Sequence, residues 1–212
     1  MRQFENTPYS MAGIKKEPVL YLVRHGATVD DDTYSGPTNP KLTEQGRKEG
    51  AQAAAFLSGR KTGDIVSSEM DRAKETASII GKVLGKKTST RKDLDSLDVG
   101  AVSKISDKDE ADRIIQHHKD NPHETIPGGE SVNHFDQRVE PELMRGIESY
   151  YRTGKPPIFA VHHSIEHVAG KVFNNDMDSA LTDPGGVIAI YPTESGNFEA
   201  IPIFKRESPH RK

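Results

Sequence analysis

Short apolar runs alternate along this chain with longer segments of helical periodicity. Val19-Leu20-Tyr21-Leu22-Val23 is a continuous apolar run that stops at Arg24-His25-Gly26. A run this short, closed by a glycine turn, predicts a strand buried on both faces of a parallel sheet. Asp64-Ile65-Val66-Ser67-Ser68 and residues 157–161 read the same way. Between them, Thr43 is placed to cap a helix whose Ala51, Ala54, Ala55 and Leu57 could face a sheet, and residues 71–84 set Ala73, Ala77, Ile80 and Leu84 at helical spacing. A polar zone, 86–107, leads into a charged helix ending near His118. Residues 121–129 hold Pro122, Pro127 and Gly128-Gly129 and must be a loop. Residues 131–151 predict a helix kinked or broken at Glu140 by Pro141, and 165–173 a short helix. Two final strands, 187–191 and 198–204, flank the turn Glu194-Ser195-Gly196-Asn197 and can pair antiparallel at an edge.

Strands alternating with helices, without a repeat or a linker, predict one α/β domain with a largely parallel sheet. Its expected limits are 18–204, with tails at 1–17 and 205–212. A length of 212 residues suits a single core. Only 33% of residues are hydrophobic and mean hydropathy is −0.70, so surface and loops must be rich in polar groups. With 29 basic against 32 acidic side chains the formal charge is −3, which argues against a nucleic-acid binder. Cys is 0, which removes disulfides, zinc–thiolate centres and thiol nucleophiles. No apolar stretch approaches a membrane span, and the first 16 residues contain no signal-peptide core, so a cytoplasmic protein is expected.

Ligands of such sheets bind beyond the carboxyl ends of the strands. Three polar clusters fall there: Arg24-His25-Gly26, Arg72 just past Ser68, and His162-His163 after Val161. A phosphate monoester, the substrate class implied by the family resemblance given next, is dianionic, and its transferring group spreads charge over three oxygens. Two guanidinium forks can clamp those oxygens. A neutral His25, its tautomer fixed by a hydrogen bond to one ring nitrogen, can attack phosphorus with the other. A protonated His163 would add a third cationic donor, and the cluster then needs no metal.

These segments resemble the histidine phosphatase superfamily, also called phosphoglycerate mutase-like. Leu22-Val23-Arg24-His25-Gly26-Ala27-Thr28 is similar to its phosphorylated-histidine signature, and Leu42-Thr43-Glu44-Gln45-Gly46 to the helix start that follows. The stretch Ser67-Ser68-Glu69-Met70-Asp71-Arg72-Ala73 resembles the segment supplying the second arginine. Gly128-Gly129-Glu130-Ser131, with Arg138-Val139, resembles a stretch of the smaller phosphatases. Phe159-Ala160-Val161-His162-His163-Ser164 resembles the strand ending in the second histidine, which strand-end alignment makes His163, with His162 a structural neighbour. The resemblance implies a three-layer α/β/α fold and a metal-independent phosphomonoesterase working through phosphohistidine on a small phosphorylated metabolite, without a cofactor. It also implies substrate contacts by Arg24, Arg72, Thr28, Ser164 and Glu130.

Two departures stand out. In Leu94-Asp95-Ser96-Leu97-Asp98-Val99-Gly100 the family's proton-donating Glu falls on Ser96, and Asp31 stands where many members have Asn. If residues 94–99 are extended, Asp98 shares a face with Ser96, which makes it the first candidate for the acid, ahead of Glu130 and then Asp95. The alternatives are a mutase-type phosphotransferase and a decayed phosphate-binding module. A third is a zinc peptidase, because His163-Ser164-Ile165-Glu166-His167 fits H-x-x-E-H. The plainer expectation puts Glu166 and His167 on the solvated side of a helix, with His117, His118, His123, His134 and His210 solvated too.

Overall fold

The computed structural model describes residues 17–29, 39–176 and 178–204. Asp31, His210, residues 1–16 of the expected 1–17 tail and the whole expected tail at 205–212 lie outside them. The described elements are strands β1 (Leu20–Arg24), β2 (Ile65–Ser67), β3 (Thr88–Thr90), β4 (Ile158–Val161), β5 (Val187–Pro192) and β6 (Phe198–Phe204). The helices are α1 (Glu44–Leu57), α2 (Asp71–Leu84), α3 (Lys108–Asp120), α4 (Val132–Thr153) and α5 (His163–Asn174). The sheet order is β3-β2-β4-β1-β5-β6. β1, β2, β3 and β4 run parallel, and β5 and β6 add an antiparallel hairpin beside β1.

Alternation along β1 shows how the layers form. Leu20 and Leu22 pack with Phe135, Val139, Leu143 and Ile147 of α4 and Ile165 of α5. Tyr21 and Val23 face the other way, against Ala53, Ala54 and Leu57 of α1 and Ala77 and Ile80 of α2. Both sheet faces are therefore covered, giving the three layers and the unbroken apolar run of β1. Helix α1 turns a slightly different face inward than its sequence suggests: Ala53, Ala54 and Leu57 are buried, while Ala51 and Ala55 are exposed. Thr43 caps α1 by accepting the Gly46 N–H at 2.9 Å. Helix α4 runs unbroken through Pro141. β3 is an edge strand of three exposed polar residues, Thr-Ser-Thr, without the apolar pattern that would reveal it. A small satellite core of Val99, Val102, Ala111, Ile115 and Ile126 supports the excursion between β3 and α4.

Two glycines bring α1 against the loop after β1. A Cβ on Gly26 would sit 2.0 Å from the Gly46 carbonyl oxygen, and one on Gly46 would sit 2.1 Å from the Ala27 carbonyl oxygen. Neither backbone can give way without moving the helix or the loop. Gly26→Ala should therefore cost at least about 2 kcal/mol of stability, within or above the range for overpacking. Chemical denaturation measures it, and a loss below 0.5 kcal/mol on the order of surface substitutions would show the approach to be adjustable.

Candidate active site

Because β2, β4 and β1 are parallel neighbours, their carboxyl ends open on one side of the sheet. Arg72 follows β2, His162 and His163 follow β4, and Arg24 and His25 close β1, so these five side chains converge at one end. The charges of Arg72 and Arg24 both act on His25. Thr76 stitches the ends together: its hydroxyl donates to the Arg72 carbonyl at 2.8 Å and accepts the Gly26 N–H at 3.3 Å.

His25 is 3% exposed. Its Nδ1 lies 2.7 Å from the Gly26 carbonyl. That carbonyl can only accept, so Nδ1 carries the proton and Nε2 keeps a lone pair. Nε2 is buried and makes no hydrogen bond. Burial foremost, then the two arginines, push the imidazole down to about 3 against the opposing pull of the Gly26 carbonyl. Arg24 Nη1 donates to the Thr182 carbonyl at 2.6 Å, while its Nε is buried without a partner. Arg72, 1% exposed in the first turn of α2, donates from Nη2 to Ser96 Oγ at 3.2 Å.

The pair after β4 differs from expectation. The His162 ring stacks on His25, with centroids 5.3 Å apart and planes 25° from parallel. His162 is also the N-cap of α5, its Nδ1 accepting the Ser164 N–H at 3.2 Å and lying 3.0 Å from Ser164 Oγ. Its remaining proton therefore sits on Nε2, as a donor. His163 opens the helix, tilted against His162 at 4.0 Å and edge-on to His167 at 5.8 Å. Burial, together with neighbouring positive groups, holds both His162 and His163 well below the usual histidine range. Both rings are thus held toward the neutral form, unlike the protonated His163 expected from the sequence; His162, expected to be a structural neighbour, is the ring that stacks on His25. A helix N-cap position directly after the strand was the signal available for it.

Residues 95–99 lie between two 3-10 turns, Lys92–Leu94 and Gly100–Lys104, and do not form the extended strand that would set Asp98 on the face of Ser96. Asp98 Oδ1 accepts the Gly100 N–H at 2.9 Å, a turn-capping arrangement. Glu130 accepts the Asp98 N–H at 3.0 Å and pairs with Arg138 at 2.5 Å. Burial works to raise its carboxyl, but Arg138, the Asp98 N–H and His134 together hold it below the usual range, which makes it a poor acid. Asp95, half-buried and accepting the Glu69 N–H at 2.7 Å, goes the other way, because burial outweighs that hydrogen bond and raises its carboxyl. Asp95, Ser96, Asp98, Glu130 and Arg138 line one cavity of about 560 Å³. Ser164 Oγ is engaged with His162 and accepts the Leu97 N–H at 3.4 Å, and buried Thr28 bridges to Leu42.

Glu166 is fully buried rather than solvated, and its carboxylate accepts the N–H and the hydroxyl of Thr182. His167 is largely buried and pairs with Asp178 at 3.3 Å, and His118 is buried too, its ring Nδ1 3.2 Å from the Glu124 carbonyl. Among the described residues no group of three or more His, Asp or Glu is arranged to hold a metal ion, so the H-x-x-E-H reading lacks a third ligand there. Among the same residues no helix is long and apolar enough to cross a membrane.

Residues 20–183 match the histidine phosphatase superfamily, branch 1. The chain belongs to this superfamily. Over 152 residues, 68% of each chain, it is 28% identical to a Salmonella paratyphi C protein named "Probable phosphoglycerate mutase GpmB". Its fold is similar to that of a mycobacterial glucosyl-3-phosphoglycerate phosphatase, at a TM-score of 0.73 and 19% identity, over 89% of this chain and 98% of the other. The same mycobacterial enzyme in complex with inorganic phosphate gives 0.72 and 20%, over 89% and 97%. A histidine phosphatase with a pair of histidines after β4 poses a direct choice between them. His162→Ala should lower kcat/KM at least about 100-fold, as for a lost transition-state donor, and His163→Ala should lower it by less than tenfold. The reverse order would return the role to His163.

Proposed function

We propose that this chain is a phosphomonoesterase that forms a phosphohistidine on His25 Nε2 and hydrolyses it, without a metal ion. The observation that carries this reading is the state of His25: neutral, its Nδ1 proton committed to Gly26, and a buried, unpartnered Nε2 beside two guanidinium groups. In the first step the Nε2 lone pair forms the N–P bond as the ester P–O bond breaks, and the leaving oxygen takes a proton. In the second, water attacks phosphorus and the N–P electrons return to Nε2. Arg24 and Arg72 offset the charge on the phosphoryl oxygens, and the His162 Nε2–H adds a neutral donor. Phosphatase relatives in the same fold support hydrolysis, and the phosphoglycerate mutase relative supports transfer to a second hydroxyl. Following the phosphoryl group into water or an added sugar-acid acceptor separates the two.

His25→Ala should abolish turnover and the acid-labile phosphoprotein trapped in a rapid quench, and dialysis against EDTA should leave wild-type turnover within about a factor of two. The pH dependence has a definite sign. A nucleophile whose pKa is pushed down to about 3 stays unprotonated throughout ordinary conditions. The burst of p-nitrophenolate at saturating p-nitrophenyl phosphate should therefore be flat from pH 8 to about pH 5, with no inflection near the ordinary histidine value of about 6.5. Such an inflection would show that the imidazole is not neutralised as described.

For the acid that protonates an alkoxide leaving group we propose Asp95 ahead of Asp98. Its raised carboxyl holds a proton at higher pH and lines the same cavity as Ser96, whereas the Asp98 carboxylate caps Gly100. Asp95→Asn should slow an alkyl phosphate at least about tenfold, toward the lower end of general-acid effects, and leave p-nitrophenyl phosphate nearly unchanged. Equal losses on both substrates would mean a structural role.

A further inference from the structure

Glu166 is a buried carboxylate that the mechanism above leaves without a task. It lies 0% exposed on α5, and both its oxygens are occupied by one residue, Thr182, through the backbone N–H at 3.2 Å and the hydroxyl. The carbonyl of the same residue accepts Arg24 Nη1 at 2.6 Å. The segment carrying Thr182 grips the Arg24 backbone as well: the Arg24 N–H donates to the Gly186 carbonyl and the Gly185 N–H to the Arg24 carbonyl, each at 3.1 Å. Glu166 thus sits at one end of a three-residue relay, through Thr182, whose other end is the Arg24 guanidinium of the candidate site.

We infer that Glu166 is the positioning residue for Arg24, and that its carboxylate and a bound phosphoryl dianion compete for the positive field of that one guanidinium. The inference rests on the phosphatase reading for the occupant of the site. Holding Thr182 by two donors fixes the carbonyl that fixes Nη1, leaving Nε as the unpartnered edge of the fork. With Glu166 ionised, part of the Arg24 field is spent on it; a dianion arriving on the far side of the guanidinium then favours protonation of Glu166. Linkage makes this reciprocal, so a protonated Glu166 tightens the hold on the dianion.

The charged groups that act on Glu166 are Arg24 from the end of β1 and Asp183 from the segment before β5; the titratable His163 and His167 share α5 with it, and His167 pairs with Asp178. Burial foremost, with Asp183 assisting, pushes the Glu166 carboxyl up to about 7 although Arg24 and Thr182 pull it down. His25, His162 and His163 are held far below that value. Dianion affinity should accordingly be high below pH 7 and fall as the pH rises through it.

Sulfate is the probe, because it stays dianionic across the range, and calorimetry reads its binding independently of turnover. Wild-type affinity should fall at least about fivefold between pH 6 and 8.5, a modest coupling between sites. In Glu166→Gln, which mimics the protonated acid, the dependence should vanish and the affinity should stay near the wild-type pH 6 value across the range. Thr182→Val keeps the shape of the residue but removes one donor to the carboxylate, so it should shift the midpoint to higher pH; it carries the test if the Gln variant does not fold. Persistence of the dependence in Glu166→Gln would transfer it to His167 and overturn the inference, as would an unmoved midpoint in Thr182→Val. A protein that binds sulfate with this dependence but hydrolyses no ester refutes the phosphatase reading and leaves the role of Glu166 standing. One that hydrolyses esters with pH-independent sulfate affinity does the reverse.

Discussion

Two guanidinium groups, the buried one of Arg72 and the half-buried one of Arg24, beside a neutral imidazole are the constraint around which the rest of this fold is arranged. A buried cation is costly unless acceptors surround it. Arg72, 1% exposed, reaches Ser96, and Arg24 reaches the Thr182 carbonyl. Neither Arg24 Nε nor His25 Nε2 has a protein partner. Arg24 Nε is thus a buried donor without an acceptor and His25 Nε2 a buried lone pair without a donor, and under the proposed function a phosphoryl group meets the first with its oxygens and the second with its phosphorus.

The surrounding scaffold holds this arrangement through backbone contacts more than through side-chain ion pairs. Gly26 and Gly46 let α1 touch the loop after β1 at a distance that no side chain permits. Buried Glu49 on α1 accepts the Ala27 N–H at 2.7 Å, fixing the same loop from its other side. On the opposite wall, Arg138 donates to the carbonyls of Asp93, Asp95 and Ser96 and pairs with Glu130, so one planar fork organises the irregular segment that places Ser96 against Arg72. Glu130 and Arg138 act on the site through that segment, which accounts for a Glu in a glycine-flanked loop and an Arg eight residues later.

The change at Ser96 has two consequences in one place. A hydroxyl there accepts from Arg72 while adding no negative charge, so the positive field at His25 is undiluted from that side. Ser96 shares its cavity wall with Asp93, Asp95, Asp98 and Glu130, and under the proposed function the acid for the leaving group comes from among the last three. Asp98 is engaged with a turn N–H, Glu130 with a guanidinium, and Asp95 with a single backbone N–H under partial burial. Burial raises the Asp95 carboxyl although Arg138 and Lys92 pull it down, whereas the directly bonded Arg138 helps to hold the Glu130 carboxyl below its usual range.

The apolar run 19–23, the helical spacing of 71–84 and the turn residues of 121–129 determined the alternation of strands and helices, because burial and backbone stereochemistry act locally and leave a periodic trace. Arg24, His25 and Arg72 were legible for the same reason: each follows a strand end, and parallel strands bring such ends together. Residues 131–151 and 187–204 likewise announced α4 and the closing hairpin. The tertiary structure decided the rest. Which of His162 and His163 faces His25 depends on whether a residue caps α5 or opens it, a difference of one position that strand-end alignment could not resolve. Residues 94–99 were read as extended because alternation was the only rule to apply, whereas the carbonyl grip of Arg138, 42–45 positions away in the chain, imposes a different path. Glu166 looked like a solvated helix residue by its type. It is buried because α5 packs on the end of β1 and Thr182 supplies the donors, and a carboxylate's environment, unlike its identity, is set by atoms that come near it only after the chain has folded.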